Sequence, residues 1–287
     1  MVEAGSPRRQ AAPAGRTSSE LGSRVGSSLV MAAAALALTY LGGWPFAALW
    51  LLAAVVVLIE WNAMTRASPR HLLTLVGGFG LAIVTAALLL PLPGWVPPAA
   101  FAAVLVAAFE IGRTGRDCAW TTAGFTYALV IATVPLLVRQ DPRLGIVGML
   151  WMFAVVWVSD IAAYFVGRTV GGPKLWPHVS PKKTWSGFLG GLGGATAAGV
   201  AVASTATAYG WEPVAPLWTV ALVSALASSV GQLGDLAESG LKRRCEVKDS
   251  GHLIPGHGGV MDRLDAFWAV CVLVASLMFG ARLADRW

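Results

Sequence analysis

Residues 239–265 read SGLKRRCEVKDSGHLIPGHGGVMDRLD, and this charged stretch interrupts a chain that is otherwise mostly apolar. Its 27 residues contain five of the 21 Lys and Arg, four of the 15 Asp and Glu, and two of the four His, although 56% of the chain is hydrophobic. Glycines and carboxylates beside dense positive charge are typical of sites for phosphorylated ligands and metal ions. The stretch therefore predicts such a site between two apolar segments.

The composition around this stretch is that of an integral membrane protein. The mean hydropathy is +0.66 and only 13% of the 287 residues are charged, which excludes an ordinary soluble domain. A helix needs roughly 20 apolar residues to cross a hydrocarbon core of ~30 Å. The apolar runs predict an all-α, polytopic membrane protein with nine spans, at about 28–43, 44–61, 71–92, 97–112, 118–138, 144–166, 187–209, 214–234 and 264–284.

The positions of Lys and Arg predict which way the chain crosses the membrane. With the N-terminus inside, 17 of the 21 fall on one side, and such an excess marks the cytoplasmic face. We therefore expect a cell (plasma or inner) membrane protein whose N-terminus and two longest loops are cytoplasmic. The predicted parts are a disordered basic tail (1–27), N-terminal transmembrane helices (28–156), and a C-terminal transmembrane domain (157–287) with cytoplasmic loops 167–186 and 235–263.

Two absent patterns narrow the function. The three cysteines (Cys118, Cys245 and Cys271) form no CxxC pair, so neither a disulfide framework nor a zinc site is indicated. No GxxxxGK[ST] sequence is present, which excludes a P-loop protein. Nothing in the chain predicts binding to nucleic acid.

Several acids lie within or beside apolar spans, where a charge at mid-bilayer costs ~3 kcal/mol or more. Glu60 and Glu110 lie at predicted cytoplasmic helix ends, which favours interfacial or hydrogen-bonded structural acids. Asp160 lies deeper, and both a structural and a functional role stay open for it.

Residues Asp235, Glu238, Ser239 and Lys242 are spaced i, i+3, i+4 and i+7, which places them on one helical face. A salt-bridged helix end would explain them, but carboxylates that converge with water and phosphate oxygens are also the usual way to hold Mg²⁺. Asp262 and Asp265 are spaced like a helix N-cap and its N3 partner. For that pair, capping and metal binding are compatible.

The cations near these acids could neutralise a triphosphate. They are Lys182, Lys183, Lys242, Arg243, Arg244, Lys248 and Arg263. The positive-inside rule alone would place some of them there, so each is weak evidence by itself. His257, in the sequence GHGG, is a further candidate whose direct role in the chemistry stays open.

Glycines at four-residue spacing open the seventh predicted span, at Gly187/Gly191 and Gly190/Gly194. Small residues on one helical face allow close helix–helix approach. Packing within the chain is the favoured interpretation, and a homodimer face is the alternative.

The stretch 239–265 resembles the signature of the phosphatidate cytidylyltransferases, or CDP-diacylglycerol synthases. That signature has the form S-x-L-K-R, four residues, K-D, a short spacer, P-x-H-G-G and D-R-apolar-D, and every fixed position is matched. The segments SDIAAYFVGR (159–168), VSPKKTWSGFLGG (179–191) and GDLAES (234–239) are also similar to the family. The similarity is concentrated in residues 157–270, so the resemblance implies that the C-terminal domain (157–287) is catalytic, with its active site at the cytoplasmic face. Gly172-Pro173 departs from the Gly-Lys that the family often has, which leaves one nucleotide or lipid contact open.

The resemblance implies transfer of CMP from CTP to phosphatidate at a bilayer surface, with Mg²⁺ as cofactor and a second, monovalent cation left open. It assigns catalytic roles to Asp235, Asp262, Lys248, Asp249 and His257. It assigns substrate contacts to Ser180, Lys182, Lys183, Thr184, Ser239, Lys242, Arg243 and Arg263. The expected metal ligands are Asp235, Asp262, Asp160, Asp265 and Glu238. Two alternatives are a CTP-dependent kinase of polyprenols or other lipids, and an ion-coupled membrane transporter.

Overall fold

The helices follow the apolar runs of the sequence, and many of their ends coincide with glycines or prolines. A computed structural model describes residues 18–113, 118–251 and 258–284, with side chains from residue 28 to residue 282 of these ranges. These residues form nine helices, α1 (Ser18–Leu41), α2 (Gly43–Met64), α3 (Arg70–Leu89), α4 (Val96–Arg113), α5 (Cys118–Gln140), α6 (Gly145–Thr169), α7 (Trp185–Ala208), α8 (Leu217–Arg244) and α9 (Met261–Ala284). A short antiparallel hairpin, β1 (Lys174–Trp176) and β2 (Ser180–Thr184), joins α6 to α7.

The all-α, polytopic class is confirmed, because eight of the described helices are long and apolar enough to cross a membrane. In α1 the apolar part, Ser28–Leu41, is shorter. The predicted turn between the first two spans is present, with Gly42 and Gly43 both at positive φ (66° and 56°), where residues with a Cβ are strained. Residues 18–27, expected in the disordered tail, are instead helical as the first turns of α1.

Several helix ends differ from the prediction by three residues or more, among them those beside the charged loops. Helix α8 continues to Arg244, ten residues beyond the predicted end, so that the first part of the expected loop 235–263 is helical. Helix α6 runs to Thr169, and α9 begins at Met261. The other predicted loop, 167–186, contains the β1–β2 hairpin. Because these extensions are polar, apolar periodicity could not detect them.

The helix ends gather at two opposite faces, as the alternation of the predicted loops requires. On one face, Glu60 near the end of α2 contacts Met261 at the start of α9. On the other, Arg139 of α5 donates to the carbonyl oxygen of Thr39 in α1 at 2.9 Å. The face that contains Glu60 also contains the loops that are rich in Lys and Arg.

An aromatic core joins helices from both halves of the chain. The Trp50 ring of α2 stacks on Phe267 of α9 with centroids 4.9 Å apart, and Phe153 of α6 stacks on Phe267 at 5.7 Å. Tyr127 of α5 stacks on Trp268 of α9 at 4.5 Å. Stacked aromatic pairs add to the burial of their large surfaces. Helix α9 is therefore packed against the N-terminal helices as well as against α8.

Helices α6 and α7 pack so closely that their contact has no room for larger side chains. A Cβ added to Gly190 would lie 2.5 Å from Cβ of Val166, and one added to Gly187 would lie 2.8 Å from the carbonyl oxygen of Ala163. The glycines that predicted close packing thus face α6 within the chain.

Candidate active site

The last turns of α8 place a row of polar side chains on one helical face, as their spacing predicted. Ser239 Oγ donates to Asp235 Oδ1 at 3.4 Å, and Lys242 Nζ lies 3.4 Å from Glu238 Oε1. The two residues of each pair are four positions, or about one turn, apart, which is why their side chains meet. Asp235 is half-buried, whereas Glu238 is buried.

The β1–β2 hairpin brings a lysine to this face. Lys183 Nζ lies 2.6 Å from Asp235 Oδ2 and donates to the carbonyl oxygen of Gln232 at 3.5 Å. The next residue, Thr184, is the N-cap of α7, where its hydroxyl accepts the N–H of Gly187 at 3.1 Å. Because this buried hydroxyl has a capping partner, the structure gives Thr184 a role in fixing the hairpin, and its predicted contact with substrate stays a prediction.

Asp262 joins α9 to α8 and to the charged loop. Its Oδ1 lies 2.6 Å from Lys242 Nζ, and its Oδ2 accepts the backbone N–H of Gly259 at 2.8 Å and of Ser250 at 3.0 Å. Gly258 has a φ of +83°, and a Cβ there would lie 2.8 Å from Asp262 Oδ2. The glycine pair of the signature therefore lets the loop fold closely around this carboxylate.

The predicted capping of α9 by Asp262 and Asp265 is wrong. The helix begins at Met261, so Asp262 lies inside the first turn and accepts an N–H from before the helix. Asp265 Oδ1 accepts the N–H of the following residue, Ala266. The reason is a residue that the prediction did not assign to the site: Glu60 of α2 accepts the N–H groups of Val260 and Met261.

Glu60 thus belongs to the surroundings of the site, although the sequence indicated only a structural acid. The one signal that it gave was a carboxylate four residues before the end of an apolar helix. Its partners lie about 200 positions away in the chain, at a separation that the periodicity of a single sequence does not report. Glu110, treated in the same way, is exposed and paired with Arg113 at 3.0 Å, as expected of an interfacial acid.

Further carboxylates lie deeper along the same helices. Both side-chain oxygens of Glu238 are buried and lack a hydrogen-bond donor among the described residues, and Asp265 is its neighbour on α9. Asp160 of α6 is exposed, and the charges of Asp235 and Lys183 act on it. The structure therefore places the five predicted metal ligands around the junction of α6, α8 and α9.

The remaining predicted residues are distributed over the surface of the junction. Ser180 begins β2 and is half-buried. The exposed side chains are Lys182, Arg243, Lys248, Asp249 and Arg263. His257 lies outside the described residues, so its prediction is neither supported nor opposed.

The donor set fits Mg²⁺ in its chemistry. No three His, Cys, Asp or Glu side chains are grouped to hold a metal ion by themselves within residues 18–113, 118–251 and 258–284. Mg²⁺, however, commonly uses only one or two protein carboxylates and takes its other oxygens from water and substrate phosphates. The buried oxygens of Glu238 make no hydrogen bond among the described residues, although Lys242 Nζ lies 3.4 Å from Oε1, and carboxylate oxygens are hard ligands of the kind this ion prefers.

Comparison with known sequences identifies the family of the chain. The profile described as "Cytidylyltransferase family" matches residues 22–280, which include every element of the junction. The chain belongs to this family. A relative named phosphatidate cytidylyltransferase from Brucella suis biovar 1 (strain 1330) is 39% identical over 272 residues, which cover 93% of this chain and 96% of the relative.

Two other cytidylyltransferases match about half of the chain. The phosphatidate cytidylyltransferase of Staphylococcus saprophyticus subsp. saprophyticus is 43% identical over 134 residues, 47% of this chain and 50% of the relative. That of Bacillus subtilis (strain 168) is 41% identical over 130 residues, 45% and 46% of the two chains. The recognition of the family from its signature is confirmed.

In this cytidylyltransferase, positive and negative side chains lie together at the ends of helices that are long and apolar enough to span a membrane. Lysine ammonium groups lie within 2.6 Å of Asp235 and Asp262, and exposed Lys and Arg side chains surround them. Such an arrangement can bind several phosphate oxygens and hold them in fixed positions.

Proposed function

We propose that the protein is a phosphatidate cytidylyltransferase, which transfers CMP from CTP to phosphatidate to form CDP-diacylglycerol and pyrophosphate in phospholipid biosynthesis. The observation that carries the proposal is that the Lys183–Asp235 and Lys242–Asp262 ion pairs lie along one face of α8, where apolar helices end. A reaction between a nucleotide and a lipid phosphate needs cations and metal-binding carboxylates at the depth of a headgroup. The names of the relatives supply the choice of substrates.

The chemistry that follows is an attack by one phosphate on another. A phosphatidate oxygen forms a bond to the α-phosphorus of CTP, and the bond from that phosphorus to the β-phosphate oxygen breaks, so that pyrophosphate leaves. The nucleophile is ionised at pH 7, so no general base is needed. The tasks of the protein are to hold two anions together and to align them.

The residues of the junction divide these tasks. Lys182, Lys183, Lys242, Arg243 and Arg263 hold phosphate oxygens, with Ser180 and Ser239 as hydroxyl donors. Asp235 and Asp262 would hold Mg²⁺, with Glu238, Asp265 and Asp160 nearby, and this ion supplies neutralisation of phosphate charge. Lys248 and Asp249 are assigned to the leaving group. The catalytic role of His257, which lies outside the described residues, and a monovalent cation beside Mg²⁺ stay predictions.

The orientation that we propose places this junction at the cytoplasmic face of a cell membrane, where CTP is available. It rests on the excess of Lys and Arg on the loops of this face. A homodimer stays a prediction as well. Because the glycines that suggested it are packed against α6, a dimer would have to use another surface.

Labelled CTP separates the proposed reaction from the alternatives. With purified protein, phosphatidate and Mg²⁺ in detergent, we expect label from α-³²P CTP in the lipid and label from γ-³²P CTP in pyrophosphate only. In a kinase reaction the hydroxyl of a lipid alcohol attacks the γ-phosphorus. Label from γ-³²P CTP in the lipid, and none from α-³²P CTP, would therefore identify a kinase. Label in no lipid would contradict both enzymes and favour a transporter.

A thiol reagent that does not cross membranes tests the orientation. Cys245 follows the last turn of α8, and burial raises the pKa of its thiol, whereas Arg244 and Arg66 oppose the rise. The labelling is therefore done at mildly alkaline pH, where more of the thiol is ionised. In a Cys118→Ser background, we expect the reagent to reach Cys245 only from the cytoplasmic side of oriented vesicles.

The matched control is Glu212→Cys, because Glu212 is exposed in the segment between α7 and α8, at the opposite face. We expect its label only from the other side. Labelling of Cys245 from that side would overturn the orientation and the cytoplasmic site together.

A further inference from the structure

Glu60 is buried at the end of α2 and is fully engaged with a distant part of the chain. Only 5% of the residue is exposed. Its Oε1 accepts the N–H of Val260 at 2.9 Å, and its Oε2 accepts the N–H of Met261 at 2.8 Å and the hydroxyl of Ser250 at 3.1 Å. Such charge-assisted bonds, together with the positive end of the α9 dipole, stabilise a carboxylate that burial would otherwise disfavour.

The loop is shaped to admit this carboxylate. A Cβ on Gly251 would lie 2.5 Å from Glu60 Oε1, and one on Gly259 would lie 2.6 Å from Oε2. Any side chain at either position would therefore displace Glu60 or the loop. Glycines on both sides of the carboxylate make the contact a specific one.

The loop segments that bind Glu60 also bind Asp262, through different atoms. The backbone N–H of Ser250 donates to Asp262, whereas its hydroxyl donates to Glu60. The N–H of Gly259 donates to Asp262, and the next two N–H groups donate to Glu60. Three consecutive backbone donors are thus divided between two carboxylates, one buried and one in the site.

We propose that Glu60 is a positioning residue for cytidylyl transfer: it fixes Ser250 and residues 259–261 so that the carboxylate of Asp262 is held in its reactive orientation. The inference rests on the proposed function of Asp262. It assigns to the N-terminal helices a contribution to catalysis that the signature of residues 239–265 does not contain. The partners of Glu60 are groups of the loop, so its effect would pass through Asp262.

Glu60→Gln tests the proposal, because glutamine keeps the shape but replaces one acceptor oxygen by a donor. We expect kcat to fall by about 10- to 100-fold, since a displacement of about 1 Å at a reacting group can cost about 100-fold. KM for CTP should change by less than about threefold, because the exposed cations do not belong to this contact. Glu60→Asp keeps the charge and should restore part of kcat.

Glu110→Gln is the matched control. It makes the same change at an acid near the end of α4, where the partner is the exposed Arg113. We expect wild-type kcat from this variant. Ser250→Ala removes a single donor to Glu60 and should lower kcat by about threefold even if the Glu60 variants do not fold, in line with the modest net value of one hydrogen bond.

Amide hydrogen exchange gives a readout that does not depend on the reaction. In Glu60→Gln the amides of residues 259–261 should exchange faster than in Glu110→Gln, whereas those of α7 should not change. Unaltered exchange, or an unaltered kcat in the folded Glu60→Gln and Ser250→Ala proteins, would overturn the proposal. If the wild type transfers no CMP, the proposed function fails, and exchange still decides whether Glu60 fixes the loop.

Discussion

Replacing Asp235 or Asp262 by Asn is expected to lower cytidylyl transfer by about 100-fold or more while the protein stays folded. Changes to groups that only support metal ligands commonly cost 10- to 100-fold, so loss of a ligand should cost at least as much. Asp235 gives the cleaner test, since the contacts described for its side chain are with Lys183 and Ser239. Asp262 also accepts two backbone N–H groups, and Asn can keep only part of these bonds.

The measurement is turnover as a function of Mg²⁺ concentration in each folded variant. We expect both variants to need more Mg²⁺ than the wild type does. Asp141→Asn is the control, because Asp141 also accepts backbone N–H groups at a helix end but lies at the opposite face, near Arg282. Near-normal turnover and Mg²⁺ dependence in Asp235→Asn or Asp262→Asn would show that the residue is only an ion-pair partner and not a metal ligand.

Lys242→Met is expected to reduce stability strongly. The ammonium group lies 2.6 Å from Asp262 and 3.4 Å from Glu238, whose side chain is 2% exposed. Without it, Glu238 is a buried carboxylate next to Asp265, and breaking a buried ion pair from one side costs about 3–5 kcal/mol. We expect a corresponding fall in the thermal unfolding temperature in detergent.

A second substitution distinguishes lost charge balance from lost packing. Glu238→Gln in the Lys242→Met background removes the uncompensated charge, so it should recover part of the unfolding temperature. Lys182→Met, at an exposed position of β2, should leave that temperature within about 1 °C of the wild type, since exposed ion pairs contribute little. A Lys242→Met protein as stable as the wild type would contradict the role given to this ammonium group.

The sequence was sufficient for the membrane class, the helices and the face that contains the site, because apolar length and the asymmetry of Lys and Arg report these directly. The shared face of Asp235, Glu238, Ser239 and Lys242 was also predictable from spacing alone. The β1–β2 hairpin was not, since Pro177 directly follows β1, Pro181 lies within β2, and no alternation of apolar residues marks the strands.

Contacts between distant segments account for the rest of the difference. The start of α9 was placed three residues too late, because the acceptor for its first N–H groups is Glu60, which belongs to another helix. Thr184 matched a family motif, yet its hydroxyl is the N-cap of α7. A motif identifies which residues matter, whereas the partner of each side chain depends on packing that a single sequence does not report.

The close packing of α6 and α7 limits the paths by which a lipid can enter. Where Gly187, Gly190 and Gly194 meet α6, even one added carbon would lie within 3 Å of a neighbouring atom. An acyl chain is far wider than that gap, so the seam between these two helices is closed to diffusing lipid. At the proposed site, a diacylglycerol phosphate in the bilayer would therefore have to approach Asp235 and Asp262 by a lateral route other than this seam.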